Sequence, residues 1–228
     1  MRKNRIHRKK VQLTLLLLLG LISLNCLSVE KSETKTKKIA ATTPQNQQEL
    51  DTAYFASGCF WCVEAIFEEL SGVKEAVSGY AGGKEVNPSY KAVANGLTSH
   101  AETVAVYYDP KHISFQTLVT VFFGSHDPTT LNRQGPDHGP QYRSIAFYKT
   151  EKEKKIITDH IATLTEQKVY RSPIVTEVSP FTIFYQAEEY HQDYEKKHPN
   201  NPYIQNVSIP RLRKFQKKFP HLLKTREH

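Results

Sequence analysis

Hydrophobic and polar positions alternate with two different periods along the chain after Asp51. Short apolar runs bounded by glycine, proline and asparagine predict strands, whereas apolar residues repeating every three or four positions predict amphipathic helices. The predicted elements, in order, are strand TAYFAS, a helix beginning at Cys59, strand GVKEAVSGYA, short helix SYKAVANG, strand ETVAVYYDP, helix SFQTLVTVFFGSH, strand YRSIAFYKT and surface helix EKEKKIITDHIATLTEQ.

This order of elements predicts an α+β fold. Without the short helix and the last helix it reads β-α-β-β-α-β, the plan of a ferredoxin-like two-layer sandwich, here with extra C-terminal helices and loops. The run PIVTEV predicts an additional edge strand. In the basic tail RLRKFQKKFPHLLK, a helical stripe of Leu212, Phe215 and Phe219 predicts a docked helix, with contact to an anionic membrane as the alternative.

The first 50 residues follow neither period. A basic stretch ending at Lys10 precedes the apolar run VQLTLLLLLGLISL, which is short for a membrane span, so residues 1–25 are predicted to be a secretory signal peptide. Cys26 follows in "LNC", which is similar to the lipobox of bacterial lipoproteins, although Ser23 and Asn25 stand where the usual box has leucine and a small residue. We expect lipidation at Cys26, with plain secretion or an uncleaved anchor as alternatives.

The positive charge of the chain is concentrated in this N-terminal segment. The formal net charge is +8, and the first ten residues carry six basic side chains while residues 1–25 contain no acid. Removal of this segment therefore leaves a charge of about +2, an ordinary surface that gives no indication of nucleic-acid binding.

Two of the three cysteines, Cys59 and Cys62, flank Trp61, the only tryptophan. Such a pair can be a disulfide staple, half of a metal site or a redox centre. A staple over so short a loop would constrain the unfolded chain little, and no second Cys-x-x-Cys supplies zinc ligands, although histidines could. At a helix start, free N–H groups and the helix dipole are expected to lower the pKa of Cys59, which favours a reactive thiol. The aromatic wall of Phe60 and Trp61 suits a small apolar group such as a methyl.

Seven ordered motifs carry a resemblance to a known family, the methionine sulfoxide reductases A, over about residues 54–203. They are GCFWCVE, GYAGG, NPSY, HAETV, HDPTT, RQGPDHGPQYRS and AEEYHQDY, and the second cysteine resembles the GCFWC subgroup. The resemblance implies reduction of the S epimer of protein-bound and free methionine sulfoxide to methionine, which repairs oxidised proteins.

The resemblance also implies roles for individual residues. Cys59 would attack the sulfoxide sulfur, Glu102 would donate a proton to its oxygen, and Tyr90 and Tyr142 would bind that oxygen. Asp137 would order water in the pocket.

Four further residues would bind the substrate. Phe60 and Trp61 would hold its methyl group, and His191 and Tyr194 would border the pocket, with helix packing as an alternative for the last two. Ser99 departs from the glycine that the family usually has before the histidine of HAE, which leaves the placement of Glu102 open.

The attack would leave Cys59 as a sulfenic acid. No cysteine follows Cys62, so Cys62 is the internal candidate for resolving it, and a thioredoxin-like reductant would then reduce the Cys59–Cys62 disulfide. No metal or other cofactor is expected. The expected partners are oxidised proteins, this reductant and a membrane reached through the lipid anchor, and the expected state is a monomer.

We therefore predict a signal peptide (1–25), a flexible polar tether (26–50), a catalytic domain (51–209) and a basic C-terminal helix or tail (210–228), exported to the cell envelope. Two rival interpretations remain. Cys-x-x-Cys at a helix start is also typical of a thioredoxin-like disulfide oxidoreductase, in which Pro173 would imitate the active-site proline. The non-enzymatic rival is a tethered zinc-binding or adhesive lipoprotein.

Overall fold

The computed structural model describes residues 49–225. The predicted signal peptide, the lipidation site Cys26 and nearly all of the predicted tether lie outside the described residues, so these assignments stay predictions. None of the helices within residues 49–225 combines the length and apolar character that a membrane crossing requires.

The described part of the chain contains strands and helices in the order predicted from the hydrophobic pattern, with additions in the second half. The strands are β1 (Asp51–Ser57), β2 (Val73–Ala81), β3 (Ala101–Tyr108), β4 (Arg133–Gln134), β5 (Asp137–His138), β6 (Ser144–Tyr148), β7 (Glu177–Pro180) and β8 (Phe184–Gln186). The α-helices are α1 (Phe60–Glu68), α2 (Tyr90–Ala94), α3 (Phe115–Gly124), α4 (Glu151–Glu166), α5 (Tyr194–Lys197) and α6 (Ile209–Lys218).

Six strands form one mixed sheet in the order β7-β6-β1-β3-β2-β8. The central strand β1 runs antiparallel to both of its neighbours, and Phe55 pairs with Val104 on β3 and with Ala146 on β6. The edge strand β7 runs parallel to β6, whereas β8 pairs antiparallel with β2 at the other edge. With its helices, this sheet makes a mixed α and β fold.

Apolar residues on both faces of the sheet are buried, on one face by helices and on the other by a connecting segment. On one face α1 and α3 close the main core, where the ring of Phe55 stacks on Phe67 at 5.2 Å and on Phe122 at 5.0 Å between centroids. On the other face Tyr54 stacks on Phe181 at 3.7 Å, so a connecting segment covers the sheet there. Strand β1 is therefore buried between two layers, which rigidly holds the residues that follow it.

The C-terminal half differs from the prediction at both sheet edges. The predicted edge strand PIVTEV begins later, at Glu177, because the Val175 N–H donates to the Pro128 carbonyl and is drawn toward another loop. Strand β8 was not predicted, since three residues are too few to show a period. Helix α6 is docked as predicted, with Phe215 only 1% exposed in the main core.

Candidate active site

A sharp turn between β1 and α1 positions Cys59. Gly58 has a φ of +89°, and a Cβ atom there would lie 2.6 Å from Cβ of Gln134, so only glycine fits this position. Cys59 then occupies the position just before α1, and its carbonyl accepts hydrogen bonds from the N–H groups of Cys62 (3.2 Å) and Val63 (3.3 Å). The Ser-Gly-Cys sequence thus converts a buried strand into a helix within two residues.

The predicted lowering of the pKa of Cys59 is wrong: this pKa lies above its ordinary value and not below it. The first N–H of the helix, that of Phe60, donates to the Glu102 carboxyl at 3.0 Å and not to the thiol. Burial raises the pKa of Cys59 well above its ordinary value, and the nearby Cys62 and Glu102 add to this effect. The hydrogen bond at the helix start therefore lowers the pKa of Glu102 and not that of Cys59, which rests as a protonated thiol.

Glu102 lies on β3 and is buried, with 2% of its surface exposed. Burial raises the pKa of this carboxyl to about 8; the hydrogen bond from Phe60 opposes the shift, and the charges of Asp137 and Cys62 support it. A carboxylic acid that keeps its proton at neutral pH can donate it during a reaction. The structure thus places a proton donor directly beside the thiol.

Two phenols complete this group. Tyr90 begins α2, whose preceding Ser89 caps the helix, and Tyr142 ends the 3₁₀ turn Pro140–Tyr142. Burial raises the pKa of Tyr90 to about 12 and also raises the pKa of Tyr142, with contributions from the charges of Glu102 and Cys59. Both side chains are therefore neutral hydrogen-bond donors close to the thiol and the carboxyl.

Glu188, which is not among the predicted site residues, places Tyr90. One oxygen of its carboxylate accepts the Tyr90 N–H at 2.9 Å, and the other accepts the Tyr80 hydroxyl at 2.8 Å. The signal that could have indicated it is the first glutamate of AEEYHQDY, three residues before the predicted His191.

Aromatic side chains form the wall next to the thiol. Phe60 is buried at 1% exposure, and Trp61, which is half-buried, stacks on Tyr194 with ring centroids 3.7 Å apart. The Trp61 Nε1–H donates to Nδ1 of His191 at 3.1 Å, and the His191 ring lies 4.2 Å from that of Tyr90. The structure therefore brings His191 and Tyr194 to the wall, where they hold Trp61 in place.

Cys62 faces a different space from the aromatic wall. It lines an open cleft of about 950 Å³ together with Asp137, Tyr203 and Arg211. The Tyr203 hydroxyl donates to Asp137 at 2.6 Å and lies 3.8 Å from Sγ of Cys62. Asp137, predicted to order water, thus contacts Tyr203, which the sequence analysis did not assign. Both cysteines are free thiols.

Ser99, the departure from the usual family glycine, fits its position. It is exposed, and it is absent from the described residues with a left-handed φ, so glycine is not required. Its hydroxyl donates to Glu85 at 2.9 Å and accepts the Lys84 N–H at 3.0 Å. The placement of Glu102 therefore does not depend on glycine at this position.

One acidic cluster has the residue types of a cation site. Carboxylate oxygens of Glu64, Glu68 and Asp193 lie within 4.8 Å of one another. Lys196 forms ion pairs with Glu68 and Asp193, and Glu64 accepts hydrogen bonds from the Ser78 hydroxyl and the Asp193 N–H. Lys196 and these hydrogen bonds already occupy oxygens of all three carboxyl groups.

A buried thiol beside a protonated carboxyl and two phenol donors is the arrangement expected of an oxidoreductase that works through a thiol. Comparison with known proteins identifies the family: residues 51–223 match the family model described as peptide methionine sulfoxide reductase. The chain therefore belongs to the peptide methionine sulfoxide reductase family, and its reaction is the reduction of methionine sulfoxide.

Individual relatives agree with this assignment. Peptide methionine sulfoxide reductase MsrA 1 of Rhodopirellula baltica is 51% identical over 174 residues, which cover 76% of this chain and 90% of that protein. MsrA of Polynucleobacter asymbioticus is 45% identical over 181 residues, covering 79% and 95%. Among solved structures, reduced Mxr1 of Saccharomyces cerevisiae is similar with a TM-score of 0.63 at 35% identity, covering 68% of this chain and 90% of that one. Methionine sulfoxide reductase A of Corynebacterium diphtheriae gives 0.60 at 35% identity, covering 68% and 77%.

Proposed function

We propose that this enzyme reduces the S epimer of methionine sulfoxide, in proteins and as the free amino acid, by attack of the Cys59 sulfur. The observation that carries the proposal is the buried Glu102, protonated near neutral pH and hydrogen-bonded at the same helix start as the thiol. Two-electron reduction of a sulfoxide by a thiol needs such an acid, because the departing oxygen has to be protonated.

Each site residue has one role in the proposed reaction. The substrate methyl packs against Phe60 and Trp61, while the hydroxyls of Tyr90 and Tyr142 bind the sulfoxide oxygen and Glu102 donates to it. The Cys59 sulfur attacks the sulfoxide sulfur, the oxygen protonated by Glu102 passes to the cysteine sulfur, and the thiol proton returns to Glu102, which yields methionine and a Cys59 sulfenic acid. The substrate sulfur gains the two electrons that the cysteine sulfur loses.

Resolution is proposed to occur at Cys62. Its sulfur attacks the sulfenic acid, water departs, and the resulting Cys59–Cys62 disulfide is reduced by a thioredoxin-like protein. The placement of both thiols at the first turn of α1 supports this assignment and membership of the GCFWC subgroup.

The first experiment gives the purified chain each epimer of methionine sulfoxide with dithiothreitol and measures methionine by chromatography. We expect turnover of the S epimer alone and none in Cys59→Ser. Equal use of both epimers, or an active Cys59→Ser, would refute the proposal. Insulin reduction without sulfoxide reduction would favour the thioredoxin-like alternative.

A second experiment tests Cys62. Cys62→Ser is expected to form one methionine per enzyme, to recycle poorly with thioredoxin, and to recover with dithiothreitol, which can reduce the sulfenic acid directly. Normal thioredoxin-driven turnover in this variant would show that resolution takes place elsewhere.

We also propose that the enzyme is an exported, monomeric lipoprotein of the cell envelope, built on a ferredoxin-like core. The basic and apolar N-terminus before Cys26 supports export, and the strand order β6-β1-β3-β2 with α1 and α3 supports the core. In a bacterial host, labelled palmitate should enter the full chain but not Cys26→Ser; label in both, or in neither, would contradict acylation at Cys26.

A further inference from the structure

Arg211 is a charged residue of the Cys62 cleft that the reaction described so far does not use. It lies on α6, and hydrogen bonds hold its guanidinium between two segments of the chain. Nε donates to the Ser125 carbonyl at 3.0 Å, and a terminal nitrogen donates to the Ser57 hydroxyl at 3.3 Å. The guanidinium is therefore anchored against the turn that leads into Cys59.

The positive charge of Arg211 is not cancelled by a close carboxylate. Among the residues that the structure describes, Arg211 forms no ion pair within 4 Å. Asp137, the nearby acid of the cleft, accepts the Tyr203 hydroxyl; burial raises its pKa, while Tyr203 and the Arg211 charge lower it, so Arg211 acts on this acid as well. The charge of Arg211 thus acts on the space that Cys62 faces.

We propose that Arg211 is a positioning residue for the resolving step: its guanidinium holds the Cys62 sulfur as the thiolate that attacks the Cys59 sulfenic acid. This inference rests on the proposed function, and it adds the group that readies the second sulfur for reaction.

The electron balance of the step explains why a thiolate is needed. The Cys62 thiolate attacks the Cys59 sulfur, an S–S bond forms, and the S–O bond breaks. Hydroxide leaves and takes up a proton to become water. A protonated Cys62 would be a far weaker nucleophile, so the fraction of thiolate sets the rate.

The surroundings of Cys62 agree with this role. A hydrogen bond with Cys59, the charge of Arg211 and the Ser208 and Tyr203 hydroxyls together lower the pKa of Cys62 to about 7 against the effect of burial. The other titratable groups near Cys62 or in its cleft are Glu102, Asp137, His126, Asp127, Tyr170, Arg171 and Lys214. Of these, His126 is kept neutral because burial lowers its pKa to about 3.

The test separates the two half-reactions in the full chain. Arg211→Gln removes the charge, Arg211→Met keeps the packing of the aliphatic stem if the first variant does not fold, and Arg211→Lys restores the charge. Lys214→Gln is the matched control, because Lys214 lines the same cleft from the same helix but is exposed to solvent. Each protein is mixed with one equivalent of S-sulfoxide between pH 6 and 10. Methionine and the Cys59–Cys62 disulfide are then followed over time.

We expect the neutral variants to form one methionine per enzyme and to form the disulfide more slowly at pH 6. The slowing should be about tenfold for each unit by which the pKa of Cys62 rises, and it should vanish near pH 10, where every form is a thiolate. Arg211→Lys should recover most of the rate, and Lys214→Gln should match the unsubstituted enzyme.

Two results would overturn the inference while leaving the proposed reduction intact. One is a pH profile of disulfide formation that the neutral variants share with the unsubstituted enzyme. The other is slowing by the same factor at every pH, which would show that Arg211 only braces the turn. Absence of methionine in the unsubstituted enzyme, or methionine without a Cys59–Cys62 disulfide, would instead remove the function on which the inference rests.

Discussion

Replacement of Glu102 by glutamine tests the proton donor of the site. An amide can still accept the Phe60 N–H through its oxygen, as the carboxyl does at 3.0 Å, so the start of α1 is expected to persist. Only the transferable proton is lost. General acids typically contribute about 10²- to 10⁴-fold to a rate, so Glu102→Gln should slow the first turnover by a factor in that range.

The pH dependence of the first turnover gives a sharper expected magnitude for the effect of Glu102→Gln. With a pKa of about 8, Glu102 is protonated in about nine-tenths of molecules at pH 7 and in about one-tenth at pH 9. The rate advantage of the unsubstituted enzyme over Glu102→Gln should therefore fall about tenfold across this interval. Because the Glu102 charge also raises the pKa of Cys59, the ionisation of Cys59 is measured in each protein and its contribution is removed from the ratio of the two rates.

The assay is rapid quenching of methionine formation with one equivalent of S-sulfoxide from pH 6 to 10. Glu64→Gln serves as the matched control, because Glu64 is also a buried carboxyl with a raised pKa but contacts Ser78 and Asp193 instead of the α1 start. A Glu102→Gln enzyme within twofold of the unsubstituted rate would refute the role of Glu102. A ratio of the unsubstituted rate to the Glu102→Gln rate that stays constant from pH 7 to 9 would also refute this role.

Three further changes test other parts of the site. Gly58→Ala should lose at least about 1–2 kcal/mol of unfolding free energy in urea titrations, since its φ is +89° and a Cβ atom would meet Gln134; unchanged stability would contradict the steric argument. Burial raises the pKa of Glu64 from 4.5 to about 7, so the folded state holds the extra proton and stability is lost as pH rises through that interval. Glu64→Gln should remove up to about 3 kcal/mol of this pH dependence, and an unaltered slope between pH 5 and 8 would disprove it. Trp61→Ala should lower kcat/KM by about 10- to 100-fold through loss of the methyl wall, with Trp61→Phe closer to normal; equal loss in both would point to the His191 hydrogen bond instead.

The regular elements of the first two thirds of the chain could be predicted because their signals are local. Apolar residues at helical spacing in α1 predict a helix, and the alternation in β3 predicts a strand, without reference to any partner. The short strands β4, β5 and β8 carry no such signal. They exist because another strand or loop offers free backbone groups at that point, as Gly79 and Ala81 do for β8.

The site residues likewise divide into those that a motif indicates and those that only long-range contacts bring to the site. The motifs named Cys59, Glu102, Tyr90 and Tyr142 as a set, and the structure places these side chains together. Glu188 was missed because its two hydrogen-bond partners lie about a hundred residues away along the chain.

The amino-acid sequence by itself determined the family and the order of the longer strands and helices, and it predicted the reacting thiol, because these depend on local periodicity and on the identity of residues in motifs. Only the tertiary structure decided the protonation states. Burial raises the pKa of Cys59 and Glu102, and the Phe60 N–H is directed to the carboxyl. It also brings Arg211, far along the chain, to the cleft of Cys62. Desolvation and charge proximity depend on what packs around a group, which no local pattern reports.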